Sequence, residues 1–151
     1  MNEGTEFPVP TKTSRMKKTI FVIEDHALMR RSIVEALERD TDLSVCGQAE
    51  DASEALVAIA LLQPDLVLTD IQLKSSSGLD LIKTLHAQTP ALPIVATTMF
   101  DVARTERLAR AAGAAAFASK QDGPEQLIAT VREVLKAGKA PEQIPSGVSP
   151  P

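Results

Sequence analysis

The stretch PDLVLTDIQLKSSSGLDLI, residues 64–82, contains the pattern on which the fold prediction depends. It opens with a short and mostly apolar run, Asp65–Thr69, in which apolar residues follow one another without alternating with polar ones. Strands that are buried on both faces have this pattern, as in a parallel sheet. The run ends at an acidic residue, Asp70, and after a polar loop the apolar residues return at helical spacing. The stretch therefore predicts a buried strand, a carboxylate at its end and a following helix.

The same unit occurs on both sides of this stretch. The other short apolar runs are Thr19–Ile23, Leu43–Gly47, Leu92–Thr97 and Ala114–Ala118. Segments with apolar residues at helical spacing follow the five runs, at 27–39, 52–62, 79–88, 102–112 and 124–137. Asp51 and Asp101 precede two of these segments and are candidate N-caps. Five strand–helix units predict one doubly wound α/β domain, a five-stranded parallel sheet with helices on both faces. We expect the strand order 2-1-3-4-5, which is one of the common orders of such sheets.

Composition sets the domain boundaries and excludes several kinds of protein. The 151 residues suit one domain, and prolines cluster near both ends. We therefore predict an N-terminal tail at 1–17, a folded domain at 18–139 and a Pro-rich C-terminal tail at 140–151. A single cysteine excludes an internal disulfide framework, and no apolar run has the length of a membrane span or signal peptide, so a cytoplasmic location is expected. A net charge of −4 argues against direct nucleic-acid binding.

Reactive side chains follow four of the five predicted strands. Glu24 and Asp25 follow the first, Asp70 the third, Thr98 the fourth and Lys120 the fifth. We expect them to lie together, because parallel strands present their carboxyl ends at one edge of the sheet, where such folds bind ligands. Three carboxylates in one crevice repel each other, and oxygen ligands without a Cys or His cluster favour Mg²⁺ as the compensating cation. Asp70 is then a candidate nucleophile for phosphoryl transfer, with the ammonium and hydroxyl groups available to phosphoryl oxygens.

Taken together, these motifs resemble the receiver domain of bacterial two-component response regulators. The string VIEDHALMR, residues 22–30, is similar to the opening of receivers from the nitrate-response class of regulators. PIVATTM at 93–99 and AGAAAFASK at 112–120 are similar to the fourth and fifth strand regions. Gly78 stands eight residues after Asp70, as it does in the family. The resemblance covers the whole predicted domain and implies the flavodoxin-like receiver fold.

The resemblance also implies a role for each candidate residue. Asp70 would be the phosphoacceptor, and Thr98 and Lys120 would bind the phosphoryl oxygens. The ligands of Mg²⁺ would be Glu24, Asp25, Asp70 and the backbone carbonyl of Gln72. These roles describe a protein that catalyses its own phosphorylation and is not otherwise an enzyme.

A conformational switch and a rate of phosphoryl loss are implied in the same way. Phe117 matches the family's switch aromatic, whose ring moves when the hydroxyl of Thr98 engages phosphate. Gln72 and Phe100 lie at the positions that flank the attacking water, and the bulky ring of Phe100 predicts slow autodephosphorylation. Gln121 stands where many members have proline after the lysine, and the family's cis peptide at that bond is costly without proline.

The expected partners are a sensor histidine kinase or phosphotransfer protein, a downstream protein and, for some receivers, a second copy in a homodimer. Only twelve residues follow Lys139, too few for a helix-turn-helix, so a stand-alone receiver is predicted. The alternatives are the receiver portion of a DNA-binding regulator and a phosphorylation-silent binding module. A haloacid-dehalogenase type of phosphatase usually needs a second Asp where Gln72 stands, and a flavodoxin-like carrier would set flavin phosphate against Glu24 and Asp25.

Overall fold

Five parallel strands form one sheet of order β2-β1-β3-β4-β5 in the computed structural model, which describes residues 17–137. The strands are β1 (Lys18–Ile23), β2 (Leu43–Ala49), β3 (Leu66–Asp70), β4 (Ile94–Thr98) and β5 (Ala116–Ser119). The predicted sheet and strand order are confirmed. The predicted tails lie outside the described residues, except for Lys17, as do the last two residues of the predicted domain.

A helix follows every strand, as predicted. The helices are α1 (Ala27–Glu38), α2 (Ala52–Leu62), α3 (Gly78–Gln88), α4 (Val102–Ala112) and α5 (Pro124–Ala137). The carboxylate of Asp51 accepts the N–H of Glu54 at 2.9 Å, so the predicted cap of α2 is confirmed. Asp101 also occupies an N-cap position, but its backbone is left-handed (φ 48°) and its side chain makes no capping hydrogen bond. The sequence signal was therefore wrong about the cap, because a left-handed residue does not have the extended backbone from which a cap side chain reaches the helix.

The helices cover both faces of the sheet and divide its side chains between two cores. Along β1, Ile20 and Val22 face α1 and α5, whereas Phe21 and Ile23 face α2, α3 and α4. All four side chains are at most 1% exposed. Burying a side chain of this size contributes about 1.5–3 kcal/mol, so the central strands hold much of the domain's stability. Among residues 17–137, no helix is long and apolar enough to cross a membrane.

The loop after β3 packs closely against the start of α3. Gly78 donates its N–H to the carbonyl oxygen of Ile71 at 3.0 Å. A Cβ atom on Gly78 would lie 2.1 Å from the carbonyl oxygen of Asp70 and 2.7 Å from the Cα atom of Ile71. Both of these are backbone atoms, so only glycine fits here without moving the chain. Glycine at this position therefore lets the start of α3 pack directly against the backbone at the end of β3.

Candidate functional site

Side-chain alternation along the strands explains why three charged groups meet at one edge of the sheet. Val22, Leu68 and Ala118 are packed in the core between the sheet and helices α1 and α5. The residues two positions further along are listed in the same order: Glu24, Asp70 and Lys120. Because side chains in a strand repeat their direction every second residue, the strands deliver these three groups to the same side of the pocket.

Lys120 forms the centre of this group. Its Nζ atom lies 2.8 Å from Oδ2 of Asp70 and 2.5 Å from Oε1 of Glu24. The side chains are buried, with 7%, 10% and 2% of their surface exposed for the lysine, Asp70 and Glu24. Burial lowers the pKa of the Lys120 ammonium, but its hydrogen bonds to Asp70 and Glu24 outweigh this effect and leave the pKa above its usual value. The lysine is therefore charged at neutral pH and is available to an anion bound beside Asp70.

The three predicted acidic residues lie together. Glu24, Asp25 and Asp70 each offer a carboxylate oxygen, and these atoms lie within 4.8 Å of one another. Asp25 is half-buried and accepts the backbone N–H of Lys74 from the loop after β3. The donor set consists of oxygen atoms from hard carboxylates, which suits Mg²⁺ and not a thiolate-preferring metal. The arrangement fits the predicted cation.

Thr98 is buried at the end of β4, but its hydroxyl is turned toward the following loop. The Oγ1 atom donates to the carbonyl oxygen of Phe100 at 3.2 Å. Phe117 on β5 is half-buried and packs against the core that α3 and α4 cover. The register pairs Thr98 with Ser119 and Ala96 with Phe117, so the hydroxyl and the ring lie on the same face of the sheet. The structure thus places the two predicted switch residues on the same face of two adjacent strands.

Gln72 and Phe100 lie in the loops that follow β3 and β4. The backbone N–H of Gln72 donates to Oδ1 of Asp70 at 2.9 Å, while its side chain is exposed. The ring of Phe100 is 65% exposed. The predicted use of the Gln72 carbonyl as a metal ligand, and of both side chains as controls of dephosphorylation, stay predictions.

Gln121 makes a contact that the sequence does not reveal. Its side-chain amide donates to the carbonyl oxygen of Met99 at 2.5 Å, joining the loop after β5 to the loop after β4. No peptide bond among residues 17–137 is cis, so the bond before Gln121 is trans. An exposed glutamine has no sequence pattern that would indicate this contact. It links the loops that carry Lys120 and Thr98.

Comparison with known proteins identifies the family of the chain. Residues 20–132 match the family described as the response regulator receiver domain. The chain belongs to this family. Receiver domains are components of two-component signal transduction, and they interact with histidine kinases. The resemblance seen in the sequence is therefore confirmed, and the match gives no support to the phosphatase and flavin-carrier alternatives.

Two curated relatives and two solved receivers illustrate the similarity. The nitrate/nitrite response regulator protein NarP of Escherichia coli (strain K12) is 30% identical over 120 residues, which are 80% of this chain and 56% of that protein. A protein-glutamate methylesterase/protein-glutamine glutaminase of Halalkalibacterium halodurans is 35% identical over 133 residues, 85% of this chain and 38% of that protein.

The CheY-like receiver domain protein of Methanospirillum hungatei JF-1 superposes with a TM-score of 0.74 at 25% identity, covering 82% of this receiver and 98% of that chain. The receiver domain of NarL from Mycobacterium tuberculosis has a TM-score of 0.72 at 25% identity, covering 82% and 97%. This receiver spans about half the length of the first curated relatives that it matches. The stand-alone form and the DNA-binding alternative therefore both stay predictions.

Proposed function

We propose that this receiver accepts a phosphoryl group on Asp70 from a histidine kinase or phosphotransfer protein. A carboxylate oxygen of Asp70 forms the new bond to phosphorus, and the bond from phosphorus to the donor breaks, with its electron pair leaving on the donor. The observation that carries the proposal is the position of Lys120, whose ammonium contacts Asp70 inside a buried pocket of three carboxylates. A phosphoryl group on Asp70 would gain that ammonium as a partner for one of its oxygens.

The pocket's carboxylates would hold Mg²⁺ between Glu24, Asp25 and Asp70. When bound, Mg²⁺ would offset the repulsion between these acids and the incoming phosphoryl oxygens. The protein's own groups position the reacting atoms. The N–H of Gln72 orients the carboxylate of Asp70, and Lys120 is already in place. Little reorganisation is then needed at the moment of transfer, which is how preorganised sites lower a barrier.

Acetyl phosphate tests this function without any knowledge of the kinase. We expect the purified chain to gain one phosphoryl group, seen by intact mass, when Mg²⁺ is present. We expect almost none after the metal is removed with a chelator, because the acids then repel the donor. Adding Mg²⁺ back should restore labelling, which controls for damage by the chelator.

Failure of the folded chain to take up a phosphoryl group with Mg²⁺ would contradict the proposal and favour the phosphorylation-silent binding module.

The same samples test the lifetime of the phosphorylated protein. After the donor is removed, the phosphoprotein should decay slowly, and its loss within seconds would contradict the prediction drawn from Phe100.

Phosphorylation is proposed to change the surface formed by α4, β5 and α5, which a downstream partner would contact. The hydroxyl of Thr98 would leave the carbonyl of Phe100 and donate to a phosphoryl oxygen, and the ring of Phe117 would turn inward. The starting contact is weak enough to exchange, since its oxygen atoms lie 3.2 Å apart in a neutral pair. A coupling of about 1–3 kcal/mol is typical of such switches.

A Thr98→Ala variant should accept phosphate yet lose most of the change in α4 and β5, because the hydroxyl that couples them is gone. Amide hydrogen exchange with and without phosphorylation measures this change. Thr98→Ser keeps the hydroxyl and is the matched control. If Thr98→Ala showed the same phosphorylation-dependent exchange as wild type, the coupling would be wrong.

A further inference from the structure

Arg30 on α1 connects the ends of β1 and β2, and the proposed chemistry leaves it without a role. One guanidinium nitrogen, Nη1, donates to the backbone carbonyl oxygen of Glu24 at 2.8 Å. Its Nε atom donates to Oε1 of Gln48 at 3.2 Å, and Nη2 lies 3.5 Å from a carboxylate oxygen of Glu50. The arginine side chain is only 17% exposed, although that of Glu50 is 64% exposed. Each of the three guanidinium nitrogens therefore has a partner.

These contacts fix the backbone that carries two of the acids. The N–H of Glu24 donates to the carbonyl oxygen of Ala49 at 3.0 Å, so the peptide before Glu24 is held by β2. The peptide after it, which joins Glu24 to Asp25, is held through its carbonyl oxygen by Arg30. Since a peptide unit is planar, holding its carbonyl also sets the direction in which the chain enters Asp25. Because both peptides are held, the backbone from which the side chains of Glu24 and Asp25 extend is fixed.

We propose that Arg30 is a positioning residue that sets the metal affinity of the pocket by holding the Glu24–Asp25 peptide. The inference rests on the proposed function, because it concerns the same Mg²⁺ site. Arginine suits this task better than lysine, because its planar fork serves the carbonyl, the amide and the carboxylate at once. Groups that orient metal ligands without touching the metal commonly change affinity about 10–100-fold when they are removed.

The direction of the change in Mg²⁺ affinity distinguishes a positioning role of Arg30 from an effect of its charge alone. The positive charge of Arg30 lies beside the backbone of Glu24 and repels a cation bound to the neighbouring acids, so removing that charge alone would tighten Mg²⁺ binding. Loss of positioning would instead weaken binding, because the acids would no longer be held in place. The two explanations therefore predict opposite changes in the same measurement.

The experiment is a Mg²⁺ titration of the unphosphorylated chain, followed by amide chemical shifts, for wild type, Arg30→Met and Arg30→Lys. We expect both variants to bind Mg²⁺ about tenfold more weakly. Arg31→Met is the matched control: it removes the same charge from the adjacent position, where Arg31 is exposed and pairs with Glu35. It should bind as wild type or slightly more tightly. Arg30→Lys keeps the charge, so it remains informative if Arg30→Met fails to fold.

The rate of labelling by acetyl phosphate gives a second reading. The Mg²⁺ concentration that gives half of the maximal labelling rate should rise in the Arg30 variants. The rate at saturating Mg²⁺ should stay within about twofold of wild type, because enough Mg²⁺ fills the site even when its affinity is lower. Unchanged or tighter Mg²⁺ binding in both variants would overturn the inference. If wild type binds Mg²⁺ with the expected dependence on Arg30 but is never labelled, the proposed function fails and the positioning role stands.

Discussion

Asp70→Asn is expected to abolish Mg²⁺-dependent labelling by acetyl phosphate. The amide has neither the charge nor the nucleophilic oxygen that forms the bond to phosphorus. The variant should stay folded, because the two side chains have nearly the same shape and the change removes one of three mutually repelling acids. Lys120 keeps its contact with Glu24. Intact mass after incubation with donor and Mg²⁺ measures the loss, and circular dichroism checks the fold.

Asp80→Asn is the matched control for this variant. Asp80 is an exposed aspartate in the first turn of α3, and its replacement should leave labelling unchanged. Full labelling of Asp70→Asn, with peptide mapping to another residue, would show that the acceptor has been assigned wrongly. Asp25 is the residue to inspect first in that case, because it is the most exposed of the three acids.

Gly78→Ala is expected to cost about 3 kcal/mol of the free energy of unfolding, the upper part of the range for forcing an extra methyl group into a packed region. The new Cβ atom would lie 2.1 Å from the carbonyl oxygen of Asp70. No side-chain rotation relieves this clash, because the opposing atoms are backbone. The loop after β3 must move instead, and with it the N–H groups that orient Asp70 and Asp25. Urea denaturation measures the stability.

Gly123→Ala provides the comparison. Its Cβ atom would meet nothing closer than Oε1 of Glu125 at 3.6 Å, so only the strain of its positive φ of 91° remains. Because ψ is 165°, Gly123 lies in a backbone region that is almost restricted to glycine, and strain there costs about 1–3 kcal/mol. Gly123→Ala thus shows the cost of backbone strain without a clash. The steric argument would be wrong if Gly78→Ala lost less than about 1 kcal/mol, the lower end of the range for overpacking.

The sequence was sufficient for the sheet order and for the meeting of the acids with Lys120. Continuous apolar runs mark the strands, and alternation by two fixes which side chains share a face. The strand order came from the known topology of five-stranded doubly wound domains. The runs placed the starts of β4 and β5 two residues early, at Leu92 and Ala114, because apolar loop residues extend them.

Contacts between long polar side chains and a distant backbone could not be predicted. The carbonyl of Met99 is available to Gln121 only because two loops approach each other in the folded chain. Arg30 reaches Glu24 for the same reason, since α1 returns along the strand that precedes it. Such bonds depend on the final distances between elements, which periodicity does not encode. The unusual backbone of Asp101 has the same origin, in a loop shaped by its surroundings.

The ammonium of Lys120, bonded to Glu24 and Asp70, has a consequence for how the protein matures. Many small metal-binding domains fold only when their metal is bound. Here the chain carries its own counterion just after its last strand, so we expect the domain to fold without Mg²⁺ and to bind the ion afterwards. If the proposed function holds, the supply of Mg²⁺ would then control when the protein can be phosphorylated, but not whether it folds.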